Sequence, residues 1–260
     1  MPTQKPARPA AARAPRRDKR HAAAAAGAGV VDSAGHSAGG SAGDSAGDSA
    51  GDSTDTADLQ PLPPSFYSRP TLLAARALLG QHLCFAPAGE TALRVGRIVE
   101  VEAYLGPEDR ASHARLVRGR GGLVPSPRSS LMFGPVGRAY VYLIYGMHHC
   151  FNVVAHPDEQ VGAVLVRALQ PVAGSLVAAG AASLRGPARL CAALGLSRLH
   201  NGHDVTTRDP GPHGALFLAA GAPLADADVA AGPRIGVDYA GEDALLPYRL
   251  FERGSPFVSR

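Results

Sequence analysis

From about residue 62 onward, short runs rich in Val, Ile and Tyr are separated by Gly and Pro, and polar positions alternate with apolar ones. Alternation with period two is typical of strands that bury one face. The pattern predicts strands at residues 82–85, 92–104, 138–145, 149–155, 163–169, 215–219 and 234–237.

Two segments have a helical period instead. SRPTLLAARALLG (68–80) has Gly80 in the position of a C-terminal cap, and GPARLCAALG (186–195) has Pro187 in its first turn and Gly195 after its end. The sequence therefore predicts an α+β fold, a single domain on a curved antiparallel β-sheet with flanking helices.

The first 61 residues lack this pattern. Seven basic residues stand between positions 5 and 20 against Asp18 alone, and a four-residue Ser/Ala/Gly repeat begins at Asp32. Such a composition cannot bury enough apolar surface to offset chain entropy. We expect a disordered tail over residues 1–61 and one domain over 62–260. The basic arm either holds DNA phosphates non-specifically or is solvated without a specific role.

Composition narrows the class of protein further. A net charge of +4 suits a polyanionic partner, and the three cysteines form no CxxC pair. His148 and His149 are adjacent, so on a strand they face opposite ways, and no metal or other cofactor is expected. No apolar run reaches the roughly 20 residues of a membrane span. We expect a protein that is not secreted and works in the cytoplasm (the bacterial nucleoid) or the nucleus.

The strand predicted at 92–104 contains the candidate catalytic carboxylate. In RIVEVEAY, period two places Glu100, Glu102 and Tyr104 on one face and the intervening apolar residues on the other, toward a core. Two carboxylates on one face are costly unless they are paired or used, and an exposed polar face is the alternative. Arg167 interrupts the apolar strand at 163–169 and needs an acidic partner. That partner is either Glu102, which Arg167 would keep ionised and oriented, or a purely structural carboxylate.

Two further features suit nucleic acid. RAYVYLIYGMHHCFNVV predicts two strands about a tight turn near Gly146, with Tyr140 and Tyr142 on one face and Tyr145 near the tip. Aromatics on such a face can stack on an extruded base, and one at a tip can enter the minor groove, although core packing is the ordinary role of each tyrosine. The candidates for DNA-backbone contact are arginines in the loops nearby: Arg115, Arg118, Arg120 and Arg128.

Four segments in fixed order resemble the alkyladenine (3-methyladenine) DNA glycosylases: IVEVEAYLGPEDRASH, MFGPVGRAYVYLIYGMHHCFNVV, VLVRALQP and GPARLCAAL. The resemblance covers roughly residues 66–260. It implies that Glu102 is the general base for water and that Arg167 holds both in place. It further implies that Tyr104, Tyr142 and His113 contact the flipped base and that Asn152 lies at the pocket floor. Tyr145 would be the intercalating side chain. Arg189, where the family has lysine, would contact the DNA backbone.

The resemblance and the residues together predict a monofunctional hydrolase. It would flip alkylated or deaminated purines out of duplex DNA and hydrolyse the N-glycosidic bond, leaving an abasic site for base excision repair. Lys5 and Lys19, the only lysines, lie in the predicted tail, so the domain lacks the amine that a strand-cutting lyase needs. The expected partner is double-stranded DNA with damaged purines, without a membrane, and the expected state is a monomer.

Two alternatives stay open. A non-catalytic damaged-DNA-binding protein could use the same scaffold. An inverting carbohydrate glycosidase could use Glu100 and Glu102, because residues two apart on a strand are separated by roughly 6.5–7 Å.

Overall fold

The structure, a computed structural model, describes residues 58–173, 175 and 184–259. The predicted tail lies outside these residues as far as residue 57. Residues 58–61 were assigned to that tail, but Leu59 is buried and Pro61 forms a β-bridge with Ala219. Residues 58–61 thus belong to the fold, although the predicted boundary of the domain lies at residue 62.

The described residues contain three α-helices and ten β-strands, linked by loops and short 3₁₀ turns. In chain order they are α1 (Pro64–Tyr67), α2 (Thr71–Leu78), β1 (His82–Pro87), β2 (Arg94–Tyr104), β3 (Leu116–Gly119), β4 (Gly122–Pro125), β5 (Ala139–Ile144), β6 (His148–Val154), β7 (Ala163–Pro171), α3 (Pro187–Leu194), β8 (Gly214–Ala219), β9 (Val229–Gly232) and β10 (Arg249–Glu252). Within the described ranges, no helix has the length and apolarity that crossing a bilayer requires.

Eight of these strands form one antiparallel sheet, in the order β5-β6-β7-β2-β1-β8, with β10 and β9 attached beside β2. The long strand β2 pairs along one edge with β7. Along its other edge it pairs first with β1, at residues 94–97, and then with β10, at residues 100–102. This confirms the predicted α+β fold on an antiparallel sheet, and it places β2 at the centre.

The main core lies between this sheet and the helices. Tyr67 of α1, Leu78 of α2 and Leu190 of α3 are fully buried against strand residues such as Ile98 and Val101. Gly80 follows α2 with φ of +87°, and a Cβ there would collide with the carbonyl oxygen of Ala222. Only glycine therefore suits this turn into β1.

The strand predicted at 234–237 is wrong. The late strand is β9, and residues 234–237 form a loop. Pro233 has no N–H to continue the ladder, and Gly236 has φ of +78°, which turns the chain away from an extended path. This loop carries part of the candidate site.

The regular alternation predicted for β2 is also interrupted. Opposite β7, Ile98 pairs with Leu169 but Glu100 pairs with Ala168 and Val101 with Val166, so Val99 and Arg167 are left out of register. These β-bulges place Ile98 and Val101 in the same core, although they are three residues apart. The alternative of an exposed polar face is excluded, because Glu100 and Glu102 are both fully buried.

Candidate active site

Glu102 lies near the end of β2, between β7 and β10. Its buried carboxylate accepts two hydrogen bonds and forms one ion pair. The Tyr104 hydroxyl donates to Oε2 at 2.7 Å, the backbone N–H of Ile235 donates to Oε1 at 2.7 Å, and Arg167 Nη1 lies 3.1 Å from Oε1. These charge-assisted contacts compensate the desolvation of the carboxylate. We call Glu102, Tyr104 and Ile235 the pocket cluster.

Glu100, two residues earlier, has a different set of partners. Its Oε1 accepts from Arg167 Nε at 3.1 Å, Arg249 Nη1 at 3.0 Å and Ser259 Oγ at 2.9 Å, and its Oε2 accepts from the Ser259 N–H at 2.7 Å. The protein thus supplies four donors to Glu100, three of them to Oε1. We call Glu100, Arg249 and Ser259 the anchor cluster, because they join β2 to β10 and to the segment after it.

Arg167 bridges the two clusters. It is the bulged residue of β7, and a bulge redirects the side chain, here toward both carboxylates. Burial by itself lowers the pKa of Arg167, but Glu102 and Glu100 raise it by more, so the guanidinium stays charged. The sequence left open whether Arg167 pairs with Glu102 or serves a structural ion pair, and the structure shows it in contact with both carboxylates.

A second buried ion pair lies next to the pocket cluster. Arg234 Nη1 and Nη2 bind the two oxygens of Asp109 at 2.6 and 2.8 Å, and the guanidinium lies 4.9 Å from the centre of the Tyr104 ring. Burial by itself raises the pKa of Asp109. Arg234 and the N–H groups of Leu105 and Ala111 lower this pKa by more than burial raises it, so the net shift is downward. The pair joins the loop after β2 to the loop that contains Ile235.

A cavity of about 500 Å³ opens beside the pocket cluster, within the size range of small-ligand sites. The three partners of Glu102 all line it, and Glu102 itself lies behind them. The opposite side is largely aromatic and polar, formed among others by His113, Tyr140, Tyr142 and Asn152. The structure thus brings together the predicted catalytic and base-binding residues.

The rings on the aromatic side of the cavity are uncharged, although Arg128 lies at its mouth. His113 meets Tyr142 edge to face with ring centres 4.6 Å apart, and its Nδ1 lies 3.0 Å from the Tyr140 hydroxyl. Burial, assisted by Arg128 and Arg115, lowers the pKa of His113 to about 4. Burial raises the pKa of Tyr140 to about 12 and also raises that of Tyr142. At neutral pH these rings are therefore uncharged.

Asn152 and Tyr145 occupy opposite ends of the β5–β6 hairpin. Asn152 is buried on β6, lines the cavity and donates from Nδ2 to the Tyr140 carbonyl at 3.0 Å. Tyr145 stands at the tip with φ of +51° and a 91% exposed side chain, followed by the exposed Met147. A bulky residue in the left-handed region costs energy and is typical of functional tips.

The predicted DNA-backbone arginines have different surroundings. Arg128 stands at the cavity mouth, 5.5 Å from the centre of the Tyr142 ring, and Arg118 and Arg120 are exposed on and between β3 and β4. Arg189, exposed in α3, lines a neighbouring cleft of about 570 Å³ that shares Arg167 with the cavity. Arg115 donates to the carbonyl oxygens of Pro107, Asp109 and Arg110, so it braces the loop after β2. Contact of these arginines with DNA stays a prediction.

Sequence reasoning missed several residues that hold the site. Arg249 lies between apolar residues in LLPYRLF, at the start of β10, and the rule that such an arginine needs a carboxylate would have identified it. Arg234 was placed in a strand, and Ser259 gave no signal. The N–H of Ile235 is a backbone group, which no residue type announces.

Comparison with known proteins places this site in a family. The family model for methylpurine-DNA glycosylase (MPG) matches residues 65–256. A candidate 3-methyladenine DNA glycosylase of Myxococcus xanthus is 51% identical over 199 residues, which cover 76% of this chain and 93% of the relative. A protein of the same description from Anaeromyxobacter dehalogenans (strain 2CP-1) is 49% identical over 200 residues, which cover 76% of this chain and 85% of the relative. One from Methanocella arvoryzae is 44% identical over 211 residues, which cover 76% of this chain and 96% of the relative. The chain belongs to the methylpurine-DNA glycosylase family.

Proposed function

We propose that this DNA glycosylase extrudes alkylated or deaminated purines from duplex DNA and hydrolyses their N-glycosidic bond, leaving an abasic site. The observation that carries the proposal is the position of Glu102 immediately behind a neutral aromatic cavity, held by three groups that line that cavity. Because the cavity and the Tyr145 tip belong to one chain, we further propose that it acts as a monomer in the compartment that holds the DNA, the bacterial nucleoid or a nucleus.

The cavity favours an electron-poor base. Alkylation at N3 or N7 makes a purine cationic, and the faces of Tyr104 and Tyr142 would attract it by stacking and cation–π interaction, worth about 0.5–2 kcal/mol. A neutral His113 adds no repulsion, whereas an imidazolium would oppose a cationic base. A damaged, poorly paired base also costs less to unstack than a normal one, which adds selectivity.

The chemistry follows from Glu102. An alkylated purine leaves without being protonated, and the sugar passes through an oxocarbenium-like state that the carboxylate stabilises while it deprotonates water. Arg167 and the Ile235 N–H hold Oε1, so Oε2 is the oxygen that accepts the proton. Water must reach Oε2 in the DNA complex, where it takes the place of the hydroxyl of the half-buried Tyr104.

We propose that the enzyme lacks lyase activity. Strand cutting by a glycosylase requires an amine that forms a Schiff base with the sugar. Residues 65–256, which match the family, contain no lysine. Borohydride should therefore trap no covalent protein–DNA adduct, and a trapped adduct would contradict this part of the proposal.

The geometry disfavours a carbohydrate glycosidase. An inverting enzyme needs a second carboxyl group free to exchange a proton near the substrate. Of the partners of Glu100, which are Arg167, Arg249 and Ser259, only Arg167 lines the cavity, whereas all three partners of Glu102 line it. A non-catalytic DNA-binding protein remains the second candidate, and the following assay separates it from an enzyme.

The test is base release from duplexes that contain 3-methyladenine, 7-methylguanine, hypoxanthine or ethenoadenine. We expect release of at least one of these by the wild type and a loss of roughly 10²–10⁴-fold in Glu102→Gln. Glu108→Gln, which changes an exposed carboxylate six residues away, is the matched control and should match the wild type. Unchanged release by Glu102→Gln would refute the mechanism, and binding without release by the wild type would favour the non-catalytic alternative.

A further inference from the structure

The hairpin formed by β3 and β4 has two exposed faces. Within the described residues its strands pair only with each other. Val117 opposes Val124 on one face, and Arg118 opposes Leu123 on the other. Leu123 is 70% exposed, and Leu116, Val117 and Val124 are each about 40% exposed.

An isolated two-stranded hairpin is marginally stable in water, and clustered exposed aliphatic side chains usually mark a contact surface. This hairpin has aliphatic side chains on both faces and no third strand beside it. A binding partner that covers it would account for both features.

The base of the hairpin is fixed at the rim of the base cavity. His113, which lines the cavity, precedes β3 by three positions, and Arg128, at the cavity mouth, follows β4 by three. The Ser126 N–H donates to the Arg115 carbonyl at 2.8 Å and closes the base, while the Arg115 side chain is held by the carbonyl groups of the preceding loop. A partner that delivers a base to the cavity must therefore pass beside the hairpin.

The charge of this region indicates the chemistry of that partner. Residues 111–157 contain no Asp or Glu, and they contain five arginines: Arg115, Arg118, Arg120, Arg128 and Arg138, of which Arg138 is paired with Asp204. A segment that carries charges of one sign and adjoins the cavity mouth fits a polyanion. Four strand residues extend about 13 Å, which corresponds to about four steps of 3.4 Å along a DNA strand.

We propose that the β3–β4 hairpin is an arm that holds the duplex beside the extruded nucleotide, separately from the Tyr145 tip. Arg118 and Arg120 contact phosphates about four base pairs from the lesion, and Leu123 packs against the sugars of the same stretch. This proposal rests on the proposed function, because it takes the cavity as the place where the base enters.

The test measures the Kd of the protein for hypoxanthine-containing duplexes, under conditions in which one protein molecule binds each duplex. We expect Arg118→Ala/Arg120→Ala to weaken binding to a 25-base-pair duplex about tenfold and to reduce the salt slope by about two, since each phosphate contact contributes about one. Leu123→Ser should weaken binding severalfold without a change in slope. Arg198→Ala and Leu199→Ser alter an exposed arginine and leucine on a different turn and should behave like the wild type.

Shortened duplexes locate the contact. When the duplex on the side that the hairpin covers is shortened to two base pairs, the affinity of the wild type should fall. The affinity of the hairpin variants, already lowered by the substitutions, should not fall further. The proposal would be overturned if the hairpin variants bound the long duplex with the affinity of the wild type. It would also be overturned if shortening the duplex weakened the variants as much as it weakens the wild type, whichever side is shortened. Self-association of the wild type that Leu123→Ser abolishes, with DNA affinity unchanged, would identify a second copy as the partner instead. Because the measurement is Kd, a failure of base release would refute the proposed function without affecting this result.

Discussion

The anchor cluster and the pocket cluster meet at Arg167 but differ in what surrounds their carboxylates. Glu100 and Glu102 are the same residue type, two positions apart on β2, and both are fully buried. Besides Arg167, the partners of Glu100 are Arg249 of β10 and Ser259 near the end of the described chain. The partners of Glu102 all line the cavity.

The difference shows that burial and position on a strand do not distinguish Glu100 from Glu102. What distinguishes them is whether the surrounding donors close the acceptor positions within the protein or present them toward a cavity. Arg167 belongs to both arrangements, so it transmits the rigidity of the anchor cluster to the pocket cluster.

The largest expected effect separates the two carboxylates by activity. Glu102→Gln should reduce single-turnover base release about 10³-fold, because the amide cannot accept the proton of water. It should cost less stability than Glu100→Gln, since Arg167 keeps its ion pair with Glu100 and the amide keeps the volume and can accept the Ile235 N–H. Single-turnover release and urea denaturation of the same preparation check both parts. Unfolding of the variant well below the wild-type midpoint would show that the pocket cluster is itself an anchor.

The complementary change should act on stability. Glu100→Gln removes the counter-charge of the partly buried Arg249 and leaves Arg167 with Glu102 alone, and breaking a buried ion pair costs about 3–5 kcal/mol. The urea midpoint should fall accordingly, while the folded fraction keeps its base release within about tenfold of the wild type. A folded Glu100→Gln protein as inactive as Glu102→Gln would place Glu100 in the chemistry.

Much of this contrast lies beyond the sequence, for physical reasons. Alternation and turn residues predicted β5, β6 and β7 because each strand's pattern is local, and the family resemblance identified Glu102 and Arg167. The bulges at Val99 and Arg167 depend on two strands at once, so neither strand predicts them alone. Ser259 is 159 positions from Glu100, and its backbone N–H is part of the contact. The sequence predicts a loop where the β3–β4 hairpin lies, because four residues around glycines show no clear period.

A smaller effect is expected at the ion pair that supports the pocket cluster. Asp109→Asn should destabilise the protein by about 3 kcal/mol, the lower end of the cost of breaking a buried ion pair, because Arg234 loses its counter-charge but the amide oxygen can still accept one of its hydrogen bonds. Glu90→Gln, which removes half of an exposed pair with Arg94, should change stability by less than about 1 kcal/mol and is the control.

The pH dependence of the Asp109 effect has a defined sign. The pKa of Asp109 is lowered in the folded protein, so its contribution is complete above its ordinary value of 3.8 and is lost as the pH falls through the folded value. The stability difference between wild type and Asp109→Asn should therefore be constant above about pH 5 and shrink only in stronger acid. A difference that disappears between pH 7 and 5 would contradict this account of the pair.

The smallest expected effect concerns the neutral wall opposite the pocket cluster, which has no counterpart around Glu100. Burial and then Arg128 lower the pKa of His113 to about 4, so Arg128→Ser should raise it toward 6.5. Because the folded pKa is the lower one, the unfolded chain takes up the proton first, and stability falls as the pH drops from 6.5 toward 4. In the variant this loss should be smaller, and an NMR titration of the His113 ring measures the shift directly.

Arg198→Ser removes an exposed arginine that is not among the causes of the His113 shift, and should leave the His113 titration unchanged. Release of a cationic base by Arg128→Ser should then fall off at a higher pH than in the wild type, because the imidazolium forms earlier and repels the base.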